Sequence, residues 1–230
     1  MPDNTSALQL VLTGDPTLLE IVWLSLFVSG SAVFFSALIG VPFGALIALT
    51  RFPGRETLIV VLNALMGLPP VVVGLLVYLG LSRSGPLGPL GLLFTPEAMI
   101  IAQTVLVTPI IAALTRQTIE DLWDEYRDEL TAMNVGPAGR IATLIWDARF
   151  SLVTALLAGF GRAAAEVGAI IIVGGNIEGF TRTMTTTIAL ETSKGDLPLA
   201  IGLGIVLITI VVAVNALAWG ARRAGERFAG

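Results

Sequence analysis

Cysteine and histidine are both absent from the 230 residues. Their absence removes disulfide frameworks, thiol nucleophiles, zinc sites and histidine general bases from consideration. Charge is scarce too. Lys and Arg number 13 and Asp and Glu 17, together 13% of the chain, against about 25% in soluble domains. The net charge of −4 leaves no basic surface for nucleic acid. No Gly-x-x-x-x-Gly-Lys-[Ser/Thr] run occurs, so no P-loop nucleotide site is visible.

What the chain has in abundance is apolar surface. It is 55% hydrophobic, with a mean hydropathy of +0.87. A soluble fold of this balance could not cover itself with polar groups, and the reading is an integral membrane protein. Channels, carriers, transporter subunits and membrane-embedded enzymes remain open.

A helix crosses the hydrocarbon layer in roughly 20 apolar residues. Five segments meet that length: 21–49, 57–81, 98–115, 151–173 and 198–220. The stretch ahead of the first contains no Lys or Arg, so it lacks the basic region of a cleavable leader. Orientation follows from Lys and Arg in the loops. With the amino terminus outside, Arg51, Arg55, Arg116, Arg127, Arg140, Arg149, Arg222, Arg223 and Arg227 lie in the cytoplasm. Only Arg83, Arg182 and Lys194 then lie outside. The expectation is an all-α membrane protein of one domain, residues 1–230, with five spans, amino terminus out and carboxyl terminus in. Its halves show no inverted or tandem repeat, which counts against a secondary carrier.

The one long cytoplasmic loop, 116–150, has structure of its own. Ile119, Leu122, Trp123, Tyr126, Leu130 and Met133 recur at spacings of three and four, the signature of an amphipathic helix. Its other face carries Glu120, Asp121, Asp124, Glu125, Asp128 and Glu129. Asn134 interrupts, a residue suited to the left-handed turn that ends helices. Gly136-Pro137 starts a second helix, with proline at a favoured first position, and Ile141, Leu144, Ile145 and Ala148 form its apolar face. A helix, a sharp turn and a helix result. Two uses fit: a pair resting on the lipid headgroups, or a compact knob for a cleft in a partner. The acidic face favours the second, because the cytoplasmic leaflet is anionic and attracts basic segments.

The stretch Asp128-Glu129-Leu130…Asn134…Ile141 resembles the coupling loop, written EAA, of ABC-importer permeases. Three departures stand out: Leu130 replaces an alanine, Asn134 replaces a glycine, and the terminal Leu-Pro is missing around Trp146-Asp147. Asparagine can adopt the same backbone geometry as the glycine. Downstream, Ala158 to Ala169 resembles the span that follows this loop in molybdate, tungstate and sulfate permeases. Val173-Gly174-Gly175-Asn176-Ile177, Thr181 to Thr186 and Ile188 to Gly195 are most similar to tungstate permeases. The resemblance implies the type I ABC importer permease fold in a prokaryotic inner (plasma) membrane. It implies that Asp128, Glu129, Leu130, Thr131, Ala132, Met133, Asn134, Val135 and Gly136 seat in a cytoplasmic ATPase. The implied partners are two ATPase subunits, a second copy of the chain and an extracytoplasmic oxyanion-binding protein, all around the lipid bilayer. The implied cargo is an oxyanion, tungstate or molybdate, and the only cofactor is Mg-ATP on the ATPase. The permease itself catalyses nothing and holds no metal. Rivals are a permease of the same architecture for sulfate, phosphate or another solute, a stand-alone carrier or channel, and an intramembrane enzyme.

Three groups of residues are candidates for the ion's path. Arg162 and Glu166 lie four apart in the fourth span, where ionisable residues are costly and mark function by default; they fit either a structural ion pair or a gate. Thr181, Arg182, Thr183, Thr185, Thr186 and Thr187 offer hydroxyls and a cation to a tetrahedral dianion, or else cap helix starts. Pro69 and Pro70 in Gly67-Leu68-Pro69-Pro70 break the second span, either to line a cavity or to kink at a crossing. Thr108-Pro109 is a milder break of the same kind, and Gly30, Gly40 and Gly44 read as close-packing positions.

Overall fold

The computed structural model describes residues 16–229. Residues 1–15, including most of the stretch read as lacking a leader, lie outside the described residues, as do the side chains of residues 221, 222 and 224–229. Among the described residues the fold is all helix, with no strand. The order is α1 (Pro16–Leu49), α2 (Arg55–Met66), α3 (Pro70–Leu81), a 3-10 turn (Gly88–Leu90), α4 (Pro96–Ala132), α5 (Pro137–Asp147), α6 (Arg149–Ala164), α7 (Gly168–Gly174), α8 (Met184–Lys194) and α9 (Leu197–Ala229).

Three helices are long and apolar enough to cross a membrane unbroken: α1, α4 and the Leu197–Gly220 part of α9. The count rises to as many as five if the pairs α2–α3 and α5–α6 are each one span. Large apolar side chains that would be a liability in water, such as Trp23, Phe34, Leu38, Val60, Leu76, Ile208 and Leu217, are more than 60% exposed, as suits a surface bathed in lipid. The molecule is a multi-pass membrane protein.

The helix bounds differ from the sequence expectation in two places. The third span and the first helix of the cytoplasmic loop are one helix of 37 residues, α4. Nothing between Thr115 and Ile119 supplies a stop, and the apolar spacing passes from span to loop without a change of period. Pro109 lies within α4 without ending it. The fourth span is not one helix: α6 ends at Ala164 and α7 begins at Gly168. The second span, by contrast, is broken where it was expected to be: Gly67-Leu68-Pro69 separates α2 from α3, since Pro69 and Pro70 bring no N–H for the carbonyls of the preceding turn.

The chain forms two compact units. One comprises the described residues up to Ala32, Pro69–Gln103 and Gly161 onward; the other comprises Val33–Leu68 and Thr104–Phe160. In the second unit α1 and α4 pack at glycine. A Cβ on Gly44 would lie 2.4 Å from the Ala112 carbonyl oxygen, and one on Gly40 3.1 Å from that of Thr108. Gly30 meets nothing within 4 Å, so the close packing expected there is not made within the described residues. In the first unit α3 packs on α7, where a Cβ on Gly74 would come within 2.8 Å of the Ala169 Cα. A second core gathers Leu18 and Ile21 with Met184 and Leu203.

Candidate functional site

The cytoplasmic knob is built from the end of α4, a four-residue turn and α5. Its base is a core shared with α1 and α6: Ile119 and Leu130 from α4 pack with Leu144, Ala148, Leu152 of α6 and Ala45 and Ala48 of α1, and Leu122, Trp123, Tyr126, Val135, Ile141 and Ile145 surround them. The expected apolar stripe is therefore real except at its last member, since Met133 is 74% exposed. The turn closes α4 with two bonds. The Asn134 N–H donates to Thr131 O at 3.0 Å and the Val135 N–H to Leu130 O at 3.1 Å, with Asn134 in the left-handed region at φ 55°. These are the two bonds of the Schellman motif, and the Val135–Leu130 contact is the apolar pair that goes with it. Arg140 fastens α5 back onto α4: its Nε donates to Val135 O at 2.8 Å and its guanidinium lies over the Trp123 ring. Thr131, Ala132, Met133, Asn134 and Gly136 are left exposed, as are Asp128 and Glu129. An exposed tip on a rigid base is what a groove in a partner can grip.

Glu120, read from the sequence as part of the solvated acidic face, is not free. It accepts from both Arg55, at the start of α2, and Arg116, one turn earlier on α4. Arg55 Nε also donates to Ile47 O at 3.0 Å, so one carboxylate ties the ends of α1 and α2 to α4. The signal for it was the i,i+4 spacing of Arg116 and Glu120.

Arg162 and Glu166 do pair, at 2.5 Å. Arg162 is in the last turn of α6 and Glu166 lies in the break behind it. Glu166 is 2% exposed. One of its oxygens takes the guanidinium, and the other accepts the Ala169 N–H at 3.0 Å. A carboxylate there satisfies an amide at the start of α7 that would otherwise lack a partner. The Glu166 carbonyl in turn accepts from Thr185 Oγ1 at 2.7 Å. Facing this break, Val71 at the start of α3 lies 3.0 Å from where a Cβ on Gly168 would sit. The structure thus brings the Pro69-Pro70 break, the Glu166 break and Thr185 into one region.

The threonine cluster is engaged internally. Thr181 Oγ1 donates to Gly174 O at 2.5 Å and accepts from the Ile177 N–H at 2.9 Å, pinning a turn whose Gly175 stands at φ 72°. The Thr183 N–H donates to Thr186 Oγ1 at 2.9 Å, and Thr187 Oγ1 to Thr183 O at 2.6 Å. All five threonines are buried. Arg182 is apart from them, paired to Glu178 at 3.4 Å. It lines a cleft of about 370 Å³ with Glu20, Glu178, Trp23 and Phe180. Two carboxylates in that cleft repel a dianion, so it does not read as a resting place for one.

Sequence reasoning passed over Gln103 and Ser25. The Gln103 Nε2 donates to the Ala163 carbonyl at 3.0 Å, at the end of α6, and Ser25 Oγ accepts the Met184 N–H at 2.8 Å. An amide and a hydroxyl within apolar runs were the available signal. Among the described residues no three acidic side chains gather in a way that could hold a metal ion.

Comparison with known proteins places the chain in a family. The model of the family described as "binding-protein-dependent transport system inner membrane component" matches residues 40–226. A probable anion ABC transporter permease protein of Haloferax volcanii is 45% identical over 87% of this chain and 88% of its own. The tungstate uptake system permease protein TupB of Peptoclostridium acidaminophilum is 41% identical over 92% of this chain and 93% of its own. Among solved structures, an inward-facing MetNI methionine ABC transporter matches with a TM-score of 0.74 at 20% identity, covering 90% of this chain and 95% of that one. The chain belongs to the binding-protein-dependent transport system inner membrane component family, and its fold is that of a type I ABC importer permease.

Proposed function

We propose that this chain is the membrane subunit of an ATP-driven importer for an oxyanion, with tungstate as the cargo. It catalyses no covalent step. Two copies form the pathway, two ATPases grip the knobs at Asp128 to Gly136, and an extracytoplasmic binding protein delivers the ion. The amino terminus faces outward and Mg-ATP binds only the ATPases. Their closure on ATP pushes the knob. Because α4 runs unbroken from Pro96 to Ala132, a push at its tip is a push on a membrane helix.

The observation that carries this reading is the exposed tip held on a packed base. A pair of helices adapted to headgroups would turn its apolar face to lipid, whereas here that face is consumed by a core that α4 and α5 share with α1 and α6. The cargo rests on the relatives' names, a tungstate permease at 41% identity and an anion permease at 45%. The test is uptake by cells or proteoliposomes carrying the whole complex, with tungstate, molybdate and sulfate in competition. A crosslinker at Met133→Cys should capture the ATPase. Transport by the purified chain without an ATPase, with crosslinks only to lipid, would overturn the proposal. Competition by sulfate as strong as that by tungstate would overturn the cargo alone.

A further inference from the structure

We infer that a buried water-binding site lies at the end of α6, with Gln103 as the acceptor that requires it. Gln103 is 1% exposed. Its Nε2 is committed to the Ala163 carbonyl, which fixes the amide's orientation and turns Oε1 the other way. That oxygen is buried and has no partner. Beside it is a cavity of about 10 Å³ whose polar lining comes from Ser25, Ser29, Gln103, Thr183 and Thr185. A space of that size holds one water, and a water is retained where two to four polar groups meet it.

No hydroxyl of the lining reaches that oxygen within hydrogen-bond distance. The Ser25 hydroxyl donates to Ile21 O at 2.7 Å, and that of Thr185 to Glu166 O. Both oxygens keep lone pairs but have no hydrogen left to give. A water supplies what is missing: one O–H to Gln103 Oε1 and the other to a serine or threonine lone pair. So placed, it joins α1, α4 and α8 to the point where α6 stops, beside the Arg162–Glu166 pair. A sodium ion would also meet oxygen atoms here, but neutral hydroxyls and one amide offer it no compensating charge, and the space is that of a single small species.

The sign of one substitution tests this. Ser29→Thr adds a methyl to the cavity wall. If the cavity is dry, filling it raises the melting temperature; if a water is there, expelling it strands Gln103 and lowers it by about 3 °C. The loss should vanish in a Gln103→Leu background, where no acceptor needs the water. A cryo-EM map of the assembled transporter should show a peak within hydrogen-bond distance of Gln103 Oε1, which decides the matter if Gln103→Leu does not fold. A rise in melting temperature with Ser29→Thr, an equal fall in both backgrounds, an empty cavity in a well-resolved map, or stabilisation by sodium over choline at equal ionic strength would each overturn the site.

Discussion

The turn at Asn134 and the break at Glu166 both separate two helices, and they use polar groups in opposite ways. At Asn134 the backbone closes its own helix, so the side chains of Met133, Asp128 and Glu129 are left outward and unassigned. At Glu166 the backbone closes α6 only in part, with the Ala165 N–H on Gly161 O and the Glu166 N–H on Ala163 O, and side chains complete the closing: Gln103 on α6, the Glu166 carboxylate on α7, Thr185 on the break between them. A turn that satisfies itself can offer its side chains to a partner. A break that relies on side chains has few left to offer. Substitutions of the side chains that the knob's tip turns outward, Asn134 with its left-handed backbone excepted, should therefore change coupling without stability, and substitutions at the break should change stability first.

The largest effect belongs to the break. Glu166→Ala leaves Arg162 without its partner and the Ala169 N–H without an acceptor. Removing one member of a buried pair costs roughly 3–5 kcal/mol, with the lower end favoured because Arg162 is 29% exposed and partly solvated. Thermal unfolding in lipid nanodiscs measures it. Glu166→Gln, which keeps an acceptor for Ala169, should recover part of the loss. A Glu166→Ala protein of unchanged stability that no longer transports would break the comparison and make the pair a gate. The double substitution Thr185→Val with Thr186→Val sharpens the same point. It should lower stability by about 1–2 kcal/mol through lost capping bonds, with uptake falling only as far as folded protein is lost.

At the knob, the smaller effect is conformational. Asn134 stands at φ 55°, where an L-residue other than Asn or Asp pays about 1–2 kcal/mol. Asn134→Ala should cost that amount and Asn134→Gly should be neutral or slightly stabilising, both read by chemical denaturation followed at Trp123. Uptake should survive Asn134→Gly.

The knob was legible in the sequence because its determinants are local. Spacings of three and four placed the apolar face except at Met133, and Asn134 with Gly136-Pro137 placed the turn; the extension of the first helix into the third span was missed, since no stop signal marks Thr115 to Ile119, as was the pairing of Glu120 with Arg55, 65 positions away. The break at Ala165 to Val167 was not legible. Residues 151–173 read as one apolar run, and what interrupts it comes from elsewhere in the chain: Gln103, which is 60 positions from Ala163, and Thr185, 19 from Glu166. The Arg162–Glu166 spacing gave the ion pair but not its second task at Ala169, which exists only once the helix has stopped.

The smallest expected change in stability is at Met133, and it discriminates best. Its side chain is 74% exposed and contributes nothing to the knob's core, so Met133→Ala should shift stability by less than about 0.5 kcal/mol. If an ATPase groove receives it, the same substitution removes an unbranched, adaptable apolar anchor from that contact. ATP-driven uptake should then drop by about tenfold, a loss of roughly 1.4 kcal/mol in coupling, while the ATPase's basal hydrolysis is unchanged. Met133→Leu should restore most of it, because volume and apolar character are kept. Unaltered uptake in Met133→Ala would mean that the tip is held by Asp128 and Glu129 alone. In that case uptake should instead fall as ionic strength rises from about 0.05 to 0.5 M.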